Sequence, residues 1–186
     1  MKRIIVLFVI VFLFAGCNNE SSEMHRAAAL RDSLAQCKQF QFTAKITADY
    51  EDRVHHFSLD CQGNSEGEVS FTVIEPDSIS DISGTLSASG GKLTFDDKLL
   101  AFPMLADGEL SPVSAPWLLI KALLSGYLSS CGADGQYLRL TIDDSYEEDA
   151  LQLDIWLGSN ELPVHAEILW QGRKILTMDV ENFTIL

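Results

Sequence analysis

The chain is short of basic residues: 13 Lys and Arg stand against 27 Asp and Glu in 186 residues, a formal net charge of −14. Phosphate backbones are held by clustered cations, so this deficit excludes nucleic acid as a partner. It also sets the body of the chain against anionic lipid head groups. The usual marks of catalysis are missing too. There is no Gly-x-Ser-x-Gly elbow, His-Glu-x-x-His pair, phosphate loop or dinucleotide fingerprint. No nucleophile–base pair stands out, and the reading is of a non-enzymatic protein without a cofactor. Repeats of fixed period, low-complexity tracts and Pro/Ser-rich linkers are absent, which leaves one domain. No apolar run is long enough for a spanning helix: Ile4 to Ala15 offers about a dozen residues where about 20 are needed. A hydrophobic content of 47% is nevertheless too high for a disordered acidic chain.

That short run has a meaning of its own. Lys2 and Arg3 precede it, the small residues Ala15 and Gly16 close it, and Cys17 is followed by polar Asn18, Asn19, Glu20, Ser21 and Ser22. These are the marks of a secretory signal. Leu13-Phe14-Ala15-Gly16-Cys17 also resembles the lipobox of bacterial lipoproteins. The resemblance implies cleavage after residue 16, a diacylglyceryl thioether on Cys17 and further acylation of the palmitate type. Several acyl chains hold a protein stably on a membrane where one is marginal. The expected organisation is a signal peptide over residues 1–16, a lipidated cysteine and short tether over 17–26, and a single domain over 27–186. The expected location is the extracytoplasmic face of the cell membrane; an uncleaved anchor helix with an incidental cysteine is the alternative. Removing residues 1–16 takes away Lys2 and Arg3 and no acid, so the remaining 170 residues carry −16. That is chain enough for a sizeable core.

Beyond Cys17 there are Cys37, Cys61 and Cys131. Export permits a disulfide, and the odd count leaves one thiol over. If Tyr50 opposes Arg53 across a two-residue turn, Cys61 faces Phe42, five residues from Cys37. The expected pair is Cys37–Cys61, with three reduced cysteines as the alternative.

Periodicity divides the chain. Ala27, Leu30, Leu34 and Cys37 form one face of a helix over 23–38, with Ser21 or Ser22 as its cap. The period then becomes two: Phe40 to Tyr50, a Glu51-Asp52 turn and His55 to Cys61 make a hairpin. Val69 to Val73 gives a third strand, ended by Pro76. Short strands with tight turns follow over 84–89, 92–95 and 99–102, then a loop-rich crossing from Pro103 to Pro116. Ser114 and Pro116 open a second helix, with Trp117, Ile120, Leu124 and Leu128 on one stripe. Only Lys121 is charged up to Ser130, so this helix must be covered on more than one side. Strands resume over 137–143, 151–157, 164–170 and 174–183. The expected fold is mainly β (α+β): a curved antiparallel sheet of about ten strands, an incomplete β-barrel, with an N-terminal helix and a lid helix on the concave side.

Three local features have plain readings. His55 and His56 are strand neighbours on opposite faces, so only one of them joins Cys61; a core His55, alternating with Phe57 and Cys61, and a surface His56 are expected, and no metal site. The run Asp143 to Asp149 lacks the spacing and the glycine of a calcium loop and reads as a solvated hairpin loop. The sequon at Asn182 has no role in a bacterial lipoprotein.

What remains is an excess of apolar surface: Trp117, Trp156, Trp170 and ten phenylalanines besides the aliphatic strand faces. A strongly curved sheet makes of this either an apolar cavity or a filled core. The helix from Ala27 to Cys37, the hairpin FQFTAKITADYEDRVHHFSLDC, the stretches FTVIEPDSISDIS and GTLSASGGKLTFDD, and the closing LPVHAEILWQGRKILTMDVENF resemble the LolA/LolB-like superfamily. Its members are outer-membrane lipoprotein carriers and related lipoproteins, here in the Gram-positive type. The resemblance implies an open barrel able to hold acyl chains, with a lipid or an acylated lipoprotein as ligand. It also admits a protein-interaction lipoprotein of envelope assembly or spore germination with a filled core and an envelope protein as partner. Strand parity assigns Phe42, Ile46, Phe57, Phe71, Leu153 and Ile168 to the wall of the ligand site. Trp117, Ile120 and Leu124 are its lid. A one-residue slip would turn several of the wall residues outward.

Overall fold

The computed structural model describes residues 18–95, 98–102, 105–106, 109–147 and 150–186; the expected signal segment and Cys17 lie outside them. Helix α1 (Asn18–Gln36) leads into β1 (Phe40–Asp49), β2 (Val54–Gly63), β3 (Val69–Glu75), β4 (Ser83–Ser87), β5 (Gly90–Phe95) and β6 (Lys98–Phe102). A small pair, β7 (Leu105–Ala106) and β8 (Glu109–Leu110), precedes helix α2 (Ala115–Ser125). The chain then completes β9 (Tyr127–Asp134), β10 (Tyr137–Asp143), β11 (Leu151–Leu157), β12 (Pro163–Trp170) and β13 (Arg173–Ile185).

Eleven strands form one antiparallel sheet in the order β6-β5-β4-β3-β2-β1-β13-β12-β11-β10-β9. This is the expected open curved sheet with two helices, mainly β, with eleven strands where about ten were read. Two local meanders meet at the β1–β13 pairing, where Phe40 lies opposite Ile185 and Ala48 opposite Leu176. Alternation in β1 buries Phe40, Phe42, Ala44, Ile46 and Ala48 and exposes Gln41, Lys45 and Asp49. Both helices cover the apolar face. α1 turns Ala27, Leu30 and Leu34 inward and packs on β9 and α2.

Curvature has local causes. Gly63 lies opposite Phe40 and Gly84 opposite Phe71, and each ring lies over the neighbouring glycine. A Cβ on Gly84 would meet Phe71 Cζ at 2.7 Å, and one on Gly63 would meet Phe40 Cζ at 2.3 Å. A side chain there would lift the aromatic ring off the sheet. At the seam, the register shifts between Gln41 and Thr43 of β1. Asn182 takes φ +55° in this bulge, and parity in β13 reverses across it. Val180 is buried before the bulge and Phe183 after it. Phe183 then stacks on Phe42, with ring centroids 5.1 Å apart. A bulge re-aims side chains in this way.

Four expectations are corrected. The second helix does not reach Leu128: it stops at Ser125, and Tyr127 onward pairs with β10 as the unforeseen strand β9. Gly126 marks the change: its backbone is extended, and a Cβ there would lie 2.4 Å from Ile142 Cγ2 and 2.8 Å from the Ala122 carbonyl oxygen, so the close approach of β10 admits only glycine. Ser114 does not cap α2 through its side chain; it belongs to a 3₁₀ turn, and its hydroxyl donates to the Ser111 carbonyl at 2.6 Å. Ser21 and Ser22 do not cap α1 either, because the helix is already formed at Asn18, so residues 18–26 are helical. His55 is as exposed as His56 instead of belonging to the core.

The bulge yields a stability test. Asn tolerates the left-handed conformation, whereas a β-branched residue there costs about 1–2 kcal/mol. Asn182→Val is expected to lower unfolding free energy by about that amount in urea titration, and Asn182→Gly to stay near the parent.

Candidate functional site

Pairing register brings the predicted wall residues onto neighbouring rows of one buried face. Phe42 and Phe71 flank Cys61 on adjacent strands. Ile46 is directly opposite Phe57, and Leu153 directly opposite Ile168. Between these pairs the rows are filled by Met178, Ala166 and Ile155 and by Leu176. Phe57 is half-buried and the other five wall residues are buried.

Helix α2 closes this face. Eight of its 11 residues are buried, including Trp117, Leu119, Ile120 and Leu123; Leu124 is half-buried. Such a helix has no solvated face wide enough to stand alone. It is fastened by polar groups at three points. The Trp117 indole Nε1 donates to the Gly67 carbonyl in the β2–β3 turn at 3.0 Å. Lys121 Nζ pairs with Asp144 Oδ2 at 3.1 Å and lies 5.4 Å from the centre of the Trp117 ring. Arg31 of α1 donates from Nη2 to the Gly126 carbonyl, at the C-terminal end of α2, at 2.8 Å, where a cation also suits the helix dipole.

The two carboxylate and guanidinium partners were not foreseen. The lone charge of Lys121 on an apolar helix is the available signal that a partner must exist, because an amphipathic cation is rarely left unpaired at a half-buried position. Asp144 answers it from the hairpin loop; its Oδ1 also accepts from the Leu151 amide at 2.8 Å. Residues 148–149 of that loop lie outside the described residues.

The cysteines stand as free thiols, so the expected Cys37–Cys61 bridge is not made. Each buried thiol is turned to a carbonyl of its own element: Cys37 Sγ donates to Leu34 at 3.2 Å and Cys61 Sγ to Leu59 at 3.8 Å. Burial drives the Cys61 thiol pKa far up, and the neighbouring Asp60 carboxylate adds to it. Burial also raises Cys37, against a backbone hydrogen bond that lowers it. Cys131, on β9, is raised by burial and Glu23, opposed by Arg26. His56 bonds Thr47 Oγ1 at 3.0 Å, whereas His55 packs beside Tyr50 and Phe57. Among the described residues, no group of three His, Cys, Asp or Glu is placed to hold a metal.

The outer face of β10–β13 carries a second polar constellation that periodicity did not reveal. Arg139, Trp156, His165 and Asp179 form one row across four strands. Arg139 lies 5.1 Å from the centre of the Trp156 ring, Trp156 stands edge-on to His165 at 5.2 Å, and His165 Nδ1 shares a hydrogen bond with Asp179 at 2.7 Å. Asp154 is 2% exposed and satisfied by Arg139 and by Thr141, whose hydroxyl donates at 2.7 Å. A buried carboxylate so paired is structural.

No family model matches the chain, and no curated protein does. Among solved structures it is similar to a putative outer membrane lipoprotein-sorting protein domain from Vibrio parahaemolyticus, at 8% identity and TM-score 0.49, covering 90% of this chain and 93% of that one. It is similar to a LolA superfamily protein from Nitrosomonas europaea at 8% identity and TM-score 0.44, covering 86% and 93%. The Mycobacterium tuberculosis lipoprotein LppX gives 9% identity and TM-score 0.44 over 89% and 96%. Likeness at this level carries no functional argument, and the chain's own geometry has to supply one.

Thiol chemistry checks that geometry. A raised pKa leaves little thiolate at neutral pH, so iodoacetamide is expected to alkylate half-buried Cys131 first and Cys61 last in native protein. Unfolding without reductant should release all three thiols; two missing thiols would restore the bridge.

Proposed function

We propose that the chain is a non-enzymatic lipoprotein of the extracytoplasmic membrane face, anchored through Cys17, that takes an apolar ligand between its concave sheet and α2. The ligand is a lipid or the acylated end of another lipoprotein, and Phe42, Ile46, Phe57, Phe71, Leu153 and Ile168 are its wall. The supporting observation is α2 itself, a short helix laid on an apolar sheet and held by polar ties along its length and just past its C-terminus.

Magnitudes are compatible with exchange. Baring the five large buried side chains of α2 costs about 10 kcal/mol at about 2 kcal/mol each. An acyl chain of a dozen methylenes offsets this with about 10 kcal/mol at about 0.8 kcal/mol per CH₂. Ligand therefore replaces helix contacts at little net cost, and the polar ties set how readily the helix lifts.

A second reading, an envelope-assembly or spore-germination lipoprotein with a filled core, draws on how fully Leu119, Ile120, Ala122 and Leu123 are buried, each at 0% exposure. Native mass spectrometry of protein from its own host separates the two: co-purified lipid supports ligand binding. Failure of both native protein and lid variants to take up a fluorescent fatty acid supports the filled core. Under the ligand reading, Lys121→Met and Trp117→Phe, each removing about 1 kcal/mol of tie, should speed uptake about fivefold.

Anchoring has its own test. Cys17→Ser is expected to abolish incorporation of an alkyne palmitate analogue and to move the protein out of the membrane fraction's acylated pool. Unchanged membrane retention without any acylation of the parent would point to an uncleaved helix instead.

A further inference from the structure

One recess formed by the described residues is not on the apolar face. It lies on the outer face of β1–β5, with a volume of about 650 Å³. Pairing register explains its form. One row runs Gln41, Gln62, Ser70 and Thr85 across β1–β4. The next runs Thr43, Asp60, Thr72, Ser83 and Thr94 across β1–β5. Five strands at ~4.8 Å spacing make the longer row ~19 Å long, and the rows are ~6.6 Å apart. Short side chains along both rows leave a trough running across the strands.

The chemistry of this trough differs from its surroundings. Eight of these nine side chains are uncharged amides and hydroxyls, in a chain whose formal net charge is −14; Lys92 of β5, opposite Thr85, stands at the end of the shorter row. The facing rows of β10–β13 carry Arg139, Asp154, Glu167 and Asp179 instead. Asp60 is the exception and is engaged by Thr43, whose hydroxyl donates to it at 3.1 Å. Amides and hydroxyls both donate and accept, which matches a ligand that does the same along its length. A cationic ligand finds one carboxylate, already engaged; an anionic polymer finds a single cation, Lys92, at the end of one row and is repelled by Asp60 and the net charge. The absence of bulky apolar side chains along both rows argues against a lipid tail.

We propose that this trough is a second binding site, independent of the apolar one, for a neutral polyhydroxylated chain: an uncharged oligosaccharide, with N-acetylated sugars suited to the neighbouring amides of Gln41 and Gln62, of which Gln62 also accepts from Gln39 at 3.1 Å. Binding is through several weak, solvent-exchanged hydrogen bonds, so the dissociation constant is on the order of 1 mM.

The test is titration of the intact domain with N,N′,N″,N‴-tetraacetylchitotetraose, followed by amide chemical shifts, with an oligogalacturonate of equal length as the anionic control. Shifts confined to the outer face of β1–β5, absent with the anionic control and weakened at least threefold in both Thr72→Val and Thr85→Val, are expected. Valine keeps the shape and the strand preference of threonine, and a parent-like spectrum confirms that each variant folds. No shift with the neutral sugar, shifts elsewhere, equal response to the anionic control, or undiminished binding in both valine variants would overturn the assignment. Fatty-acid uptake is read separately and should be unaltered in these variants.

Discussion

The pairing of the first strand with the last is the constraint on which this molecule depends. β1 and β13 are separated by nearly the whole described chain, yet they run side by side from Phe40–Ile185 to Ala48–Leu176. Each meander can assemble from local hairpins, but the shared apolar face exists only when the seam closes. Closing so long a loop costs entropy that grows slowly with length and makes such topologies slow to fold. What compensates is concentrated at the seam. Phe40, Phe42 and Phe183 stack together there, and the Asn182 bulge supplies the half-turn that points Phe183 inward.

α2 lies between the two meanders in sequence and beneath both of them in space. It contacts β3 in one half and β10 and β11 in the other. The helix is therefore part of the core, and its removal exposes both halves of the sheet together. This is why ligand entry and stability are coupled in the proposed function. It is also why the outer face, with a hydroxyl- and amide-rich trough in one half and charged rows in the other, is free to carry unrelated chemistry: side chains at alternate positions never meet those that hold the helix.

Much of this was legible before any coordinates. The β1–β2 hairpin follows from unbroken alternation, and the turn has Tyr50 donating to Arg53 at 2.9 Å, as its two-residue length requires. Parity alone placed Phe42, Ile46, Phe57, Phe71, Leu153 and Ile168 on the inner face. Less visible were features in which distant residues decide local structure. Tyr127-Leu128 continues the apolar spacing of α2, and only the approach of Ile142 to Gly126 reveals why the helix must end. β9 is rich in Ser and Gly and lacks alternation, so nothing local marks it as a strand. Asn182 is bulged because β1 lies beside it. The partnership of Lys121 with Asp144 joins a helix to a loop read as merely solvated. Whether the concave face holds a cavity or a helix is likewise a question of packed volume, which composition does not encode.

Arg31 deserves a last consequence. Its guanidinium fastens α1 to the Gly126 carbonyl, just past the end of α2, and the two helices also pack on each other. A load that shifts α1 along its axis is thus felt by α2, and a lifting of α2 pulls on α1. The covering of the sheet is thus one connected layer, joined helix to helix at Gly126.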